Sequence, residues 1–77
     1  MPPKLPRISG EEAVKALQRL GFEAVRQRGS HIVLKKRISK EEEIGCVIPL
    51  HRELAIGTLR SILRQARVTS EEFIQHL

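Results

Sequence analysis

The chain of 77 residues has no tryptophan, no tyrosine and no aspartate, and only one cysteine and one methionine. Phe22 and Phe73 are the only aromatics. No ring platform of the kind that stacks unpaired bases is therefore available, and any nucleic acid should be held through its phosphates. A lone Cys46 cannot close an intramolecular disulfide, and no Cys/His cluster has zinc-ligand spacing. Both absences point to a cytoplasmic protein with no metal and no other cofactor. No run approaches the ~18 apolar residues of a membrane span, and Met1–Pro6 lacks the apolar core of a signal peptide, so no membrane role is expected. The length allows one small domain, assigned to residues 8–77, with residues 1–7 as a flexible Pro-rich tail. Such a domain buries only about 60% of its unfolded surface and is marginal without help.

Charge is what the sequence has in excess. Fourteen Lys and Arg against nine Glu give a net charge of +5, and the pI is near 10.2. The balance favours a polyanionic partner, nucleic acid first. Between Ala24 and Lys40 lie Arg26, Arg28, Lys35, Lys36, Arg37 and Lys40, with no acid among them. Acids collect instead at predicted helix starts, Glu11–Glu12 and Glu71–Glu72, where they suit the helix dipole. A cationic run is often only a solvated face; here the missing acids favour a phosphate-binding surface.

Ser9 and Glu12 have the spacing of a capping box and open a helix with Ala13, Ala16, Leu17 and Leu20 on one face, ended by Gly21. Phe22–Arg28 and His31–Arg37 read as strands joined by the two-residue turn Gly29–Ser30. Glu43–Ile48 is a third strand, closed by Pro49. A second helix runs from about Gly57 to Arg67, burying Leu59, Ile62, Leu63 and Ala66 and carrying a ridge of Arg60, Arg64 and Arg67 that could be plain surface or touch phosphate. Thr69–Glu72 repeats the capping box before a short last helix. The order α-β-β-β-α, with a short C-terminal helix, predicts an α+β domain: a three-stranded antiparallel sheet with helices on one face and the other face open.

Function is expected on that open face. A two-residue loop pairs Arg28 with His31, Arg26 with Val33 and Ala24 with Lys35, and paired residues share a face. Val25, Ile32 and Leu34 form the opposite, helix-facing set. Phe22 breaks this parity and is assigned to the helix–strand junction. On the third strand Ile44, Cys46 and Ile48 point inward, which makes Cys46 a core residue rather than a nucleophile. Arg26, Arg28 and Lys35 thus surround His31. A lone surface histidine ordinarily has no role, but one ringed by cations has what RNA cleavage needs: a group that takes the 2′-hydroxyl proton, and positive charge for the phosphate oxygens. His51, beyond the end of strand three, falls near the start of strand two and could be a second acid or base, or a phosphate contact. His76 lies at the frayed C-terminus and is given no role.

Ser9-Gly10-Glu11-Glu12, Leu20-Gly21-Phe22, Arg26-Gln27-Arg28-Gly29-Ser30-His31, Val47-Ile48-Pro49-Leu50-His51 and Gly57-Thr58-Leu59-Arg60 together resemble the HicA (YcfA-like) toxin family of bacterial type II toxin–antitoxin systems. The resemblance spans roughly Ile8 to Phe73. It implies a double-stranded-RNA-binding-domain-like fold, an mRNA interferase acting without the ribosome, and a HicB-type antitoxin that covers the active face. It also implies that the histidine after Gly29-Ser30, His31, is catalytic. Ile32 stands where many members carry a second histidine. The site expected on both grounds is His31, with His51 as an accessory, Gly29 and Ser30 as the active-site turn, and Arg26, Arg28, Lys35, Lys36, Arg60 and Arg64 as RNA contacts. The alternative from another class is a non-catalytic module that binds duplex RNA.

Overall fold

The structure, a computed structural model, describes residues 4–77. Six elements follow one another: α1 (Gly10–Arg19), β1 (Glu23–Arg28), β2 (His31–Arg37), β3 (Glu43–Pro49), α2 (Ile56–Ala66) and α3 (Ser70–Gln75). The strands form one antiparallel sheet in the order β1-β2-β3. This is the α+β arrangement that the sequence pattern predicts, and it is consistent with the double-stranded-RNA-binding-domain-like fold that the family resemblance implies.

Local chemistry sets the helix limits. The Ser9 hydroxyl accepts from the Glu12 N–H at 3.1 Å while the Glu12 carboxylate accepts from the Ser9 N–H at 3.0 Å, so two otherwise unpaired groups at the start of α1 are satisfied. At its end Gly21 adopts φ +100°, and the Gly21 and Phe22 N–H groups donate back to Gln18 and Leu17, each at 3.0 Å. That reversal needs a left-handed residue, which glycine adopts without strain. α2 ends with the same pair of backbone bonds, but its left-handed residue is Arg67, φ +56°, so the basic ridge stops at Arg64. Arg67 swings away to bond Glu42 in the β2–β3 loop at 3.0 Å. Thr69 and Glu72 cap α3 as Ser9 and Glu12 cap α1.

Alternation along the strands puts the core on one side. Leu34, Cys46 and Ile48 are buried, with Ile32 and Ile44 partly covered beside them. Against them pack Leu17 of α1, Leu59 and Leu63 of α2, Leu54 of the β3–α2 loop and Phe73 of α3, whose ring is fully enclosed. Each such side chain contributes roughly 1.5–3 kcal/mol by leaving water. The N-terminal segment expected to be a flexible tail is not loose throughout. Leu5 joins the core at 8% exposure and Arg7 pairs with Glu53 at 3.2 Å; Met1–Pro3 lie outside the described residues. His76 is likewise tied down, its Nδ1 2.8 Å from the Glu72 carbonyl and its own carbonyl accepting from Arg19 at 2.7 Å.

Strand β1 departs from simple alternation. Arg28 pairs with His31 and Arg26 with Val33, but Ala24 then pairs with Leu34 and Glu23 with Lys35, so Val25 is an extra, bulged residue. The expected Ala24–Lys35 pair does not form, and Val25 is 51% exposed instead of facing the helices. The bulge shifts the parity by one. Phe22 is thereby turned to the helix side, where it is 3% exposed. What looks like a parity violation at Phe22 is the sequence trace of the bulge.

Cys46 is 3% exposed, and burial pushes its thiol up to about 11 from an ordinary 9.0. The thiolate is the reactive form, so at pH 8 the folded protein should resist iodoacetamide, while the urea-unfolded chain should be alkylated at least about tenfold faster. Equal rates, followed by mass spectrometry, would contradict a core position for Cys46.

Candidate active site and nucleic-acid interface

The open face is an ordered grid, because β2 and β3 present every second residue to it and β1 does so on either side of its bulge. Across the three strands the first row is Arg28–His31–Pro49 and the second Arg26–Val33–Val47. The third is Glu23–Lys35–Gly45, and Arg37–Glu43 closes the far end. His31 is solvent-exposed at the first position of β2, directly after the turn. The turn is tight because Gly29 has φ +56° while Ser30 stays in the ordinary region, the φ signs of a type II′ hairpin. A Cβ on Gly29 would meet nothing within 4 Å, so the backbone conformation alone asks for glycine there.

Charge is unequal along this grid. At the far end Glu43 lies 3.5 Å from Lys35 and 4.0 Å from Arg37, and Glu23 is the cross-strand partner of Lys35. Near the turn the cations stand alone: among the described residues no ion pair involves Arg26 or Arg28. On this face the unpaired positive charge therefore lies at the His31 end.

Three further sequence-predicted contacts are not brought to this face. Lys36 pairs with Ile44, on the helix side. Its ammonium donates to the Leu20 carbonyl at 2.9 Å and lies 5.8 Å from the centre of the Phe22 ring. It satisfies the C-terminal end of α1, where a cation suits the helix dipole. Its inward parity is already legible, since it alternates with Ile32 and Leu34. Arg60 and Arg64 sit on the exposed side of α2, in the layer behind the sheet.

His51 follows Pro49, the cross-strand partner of His31, by two residues. Its segment is fastened at three points. The Leu50 N–H donates to the Ser30 carbonyl at 2.6 Å, the Gly10 N–H to the His51 carbonyl at 2.9 Å, and the Leu54 N–H to the Ile8 carbonyl at 2.7 Å. The Gly29–Ser30 turn, the loop bearing His51 and the start of α1 are thus one hydrogen-bonded unit. Gly10 makes the unit possible. A Cβ there would fall inside the contact distance of the Pro49 carbonyl oxygen and 2.9 Å from the Leu50 Cα. The sequence shows Gly10 only as part of a capping box; its close contact with the β3–α2 loop is visible only in three dimensions.

The family profile described as the HicA toxin of bacterial toxin–antitoxin systems matches residues 10–68, well over half of the chain. The protein belongs to the HicA toxin family. No curated protein matches the chain significantly. The matched span runs from Gly10 through the sheet to Val68, just past α2, and so contains the whole grid and the loop bearing His51. HicA membership assigns the chain the role of a toxin and implies an antitoxin partner. Among the described residues no three His, Cys, Asp or Glu side chains are grouped so that they could hold a metal ion, and no helix is long and apolar enough to cross a membrane.

Gly10→Ala tests the fastening of the HicA loop. Overpacking against backbone atoms should cost about 2 kcal/mol and lower Tm by roughly 10 °C in a domain of this size. The Leu50 and His51 amides should shift in NMR spectra. Unchanged Tm and amide shifts would show that the close approach has no consequence.

Proposed function

We propose that this HicA-family protein is an endoribonuclease, an mRNA interferase that cuts mRNA in the cytoplasm without a metal ion and is held inactive by a HicB-type antitoxin. The observation that carries the reading is the pairing of His31 with Arg28, beside Arg26, at the uncompensated end of an exposed sheet face. Imidazole is the side chain suited to taking and returning protons near neutral pH. His31 removes the proton from a ribose 2′-hydroxyl, and that oxygen attacks the adjacent phosphorus. The new O2′–P bond forms as the P–O5′ bond breaks. Arg26 and Arg28 hold the charge gathered on the non-bridging oxygens. The departing 5′-oxygen receives a proton from an acid, for which His51 is the candidate, its loop fastened to the turn that carries His31. Lys35 is a weaker phosphate contact, shared with Glu43. The antitoxin covers the same open face, where an acidic surface would match the cations.

Cleavage of a defined RNA by the wild type and by His31→Ala, in excess chelator, is the direct test. Loss of at least about 100-fold in rate is expected for His31→Ala, the scale of general acid–base catalysis. Equal activity of the two would remove the catalytic assignment, and a need for added metal would remove the mechanism. Tight binding of duplex RNA without products would instead support the non-catalytic module. In a salt titration of single-stranded RNA binding, Arg26→Ala and Arg28→Ala should each lower the salt slope by about 0.7. Lys36→Ala should leave that slope unchanged and cost about 1 kcal/mol of stability through the lost bond to Leu20.

A further inference from the structure

The second row of the open face is chemically unlike the first. Val33 and Val47 are cross-strand partners there, and Val47, 45% exposed, is among the most exposed large hydrophobic residues of the protein. Next to Val47 on the same face Gly45 has no side chain, and the stem of Lys35 lies over it, its Cγ 3.4 Å from where a Cβ would stand. Arg26 borders the pair on its other side and has no acidic partner among the described residues. The result is a small aliphatic floor with a free guanidinium at one edge and the stem of Lys35 at another.

We infer that this floor is the seat of a single unpaired nucleobase, that of the nucleotide next to the phosphate held at His31. The inference rests on the RNA-cleavage reading and names its substrate class as single-stranded RNA. Consecutive rows of the grid are two residues apart, about 6.6 Å along the strand. A chain whose phosphate lies over the Arg28–His31 row therefore brings its neighbouring base over Val33 and Val47. The base gives up water on one face to the two valines, and the planar guanidinium of Arg26 can lie against its edge or reach its phosphate. A paired base in a duplex could not reach the floor, because its faces are already stacked. The absence of tyrosine and tryptophan means a weaker seat than an aromatic one, with no preference read through hydrogen bonds. A protein partner would need a larger apolar area than two valines, and the bare cations around them match phosphate.

The test uses a short single-stranded 2′-O-methyl RNA, which lacks the attacking hydroxyl, and a matching strand made abasic. Binding is compared for the wild type, Val47→Thr and Val47→Ser, with thermal melts to confirm folding. The wild type should bind the intact strand about fivefold more tightly than the abasic one, an aliphatic fraction of an aromatic base-stacking effect. Both variants should narrow that gap to under about twofold while binding the abasic strand unchanged. Equal affinity of the wild type for the two strands, or a gap untouched by both variants, overturns the inference. Variants that weaken antitoxin binding but leave the gap intact overturn it in favour of a protein contact. Because these strands cannot be cut, failure of the base seat leaves the cleavage reading standing. An inactive enzyme that still shows the gap defeats only the cleavage reading.

Discussion

The two-residue turn at Gly29–Ser30 sets the register from which the open face is built. With Gly29 at φ +56° the loop closes on Arg28 and His31 as a pair. Period-two alternation does the rest, placing Val33 and Lys35 on the same side as His31 and sending Ile32 and Leu34 to the core. A slip of one residue would exchange those sets, burying the imidazole and a lysine while exposing the leucine. The core and the open face therefore share one constraint, and the cost of burying charge protects the arrangement of the residues on that face.

A second constraint ties that turn to the rest of the chain. Bonds from Leu50 to Ser30, from Gly10 to His51 and from Leu54 to Ile8 unite segments distant in sequence. The approach is close enough to require glycine at the head of α1. In so small a domain, helix capping, loop closure and site geometry fall on the same few residues. The cations divide along the same lines. Lys36 and Arg67 hold helix ends or loops, Lys35 and Arg37 are balanced by Glu43, and Arg26 and Arg28 are left uncompensated.

The element order, both capping boxes, the Gly21 stop and the face of His31 were legible in the sequence because each depends on neighbours a few residues away. The bulge at Val25 has no compositional mark of its own, and only the parity of Phe22 carries its signature. An extra residue at an edge strand changes parity without changing composition. Lys36 groups with the RNA contacts by charge alone, although its parity turns it inward. The contact of Gly10 with Pro49 and the split between paired and unpaired cations were hidden for another reason: they are made by chain segments that only the fold brings together. The tail is mixed, with Leu5 an apolar residue in a proline-rich context that still reaches the core.

The central claim is that His31 performs acid–base chemistry on a ribose 2′-hydroxyl with bare arginines beside it. The chemical ends of the RNA fragments report on that step directly. Attack by the 2′-oxygen leaves a 2′,3′-cyclic phosphate on one fragment and a 5′-hydroxyl on the other, and a single 2′-deoxy substitution at the cut position should abolish cleavage there. Fragments bearing 5′-phosphate and 3′-hydroxyl ends, or cleavage that continues at the deoxy position, would contradict the account.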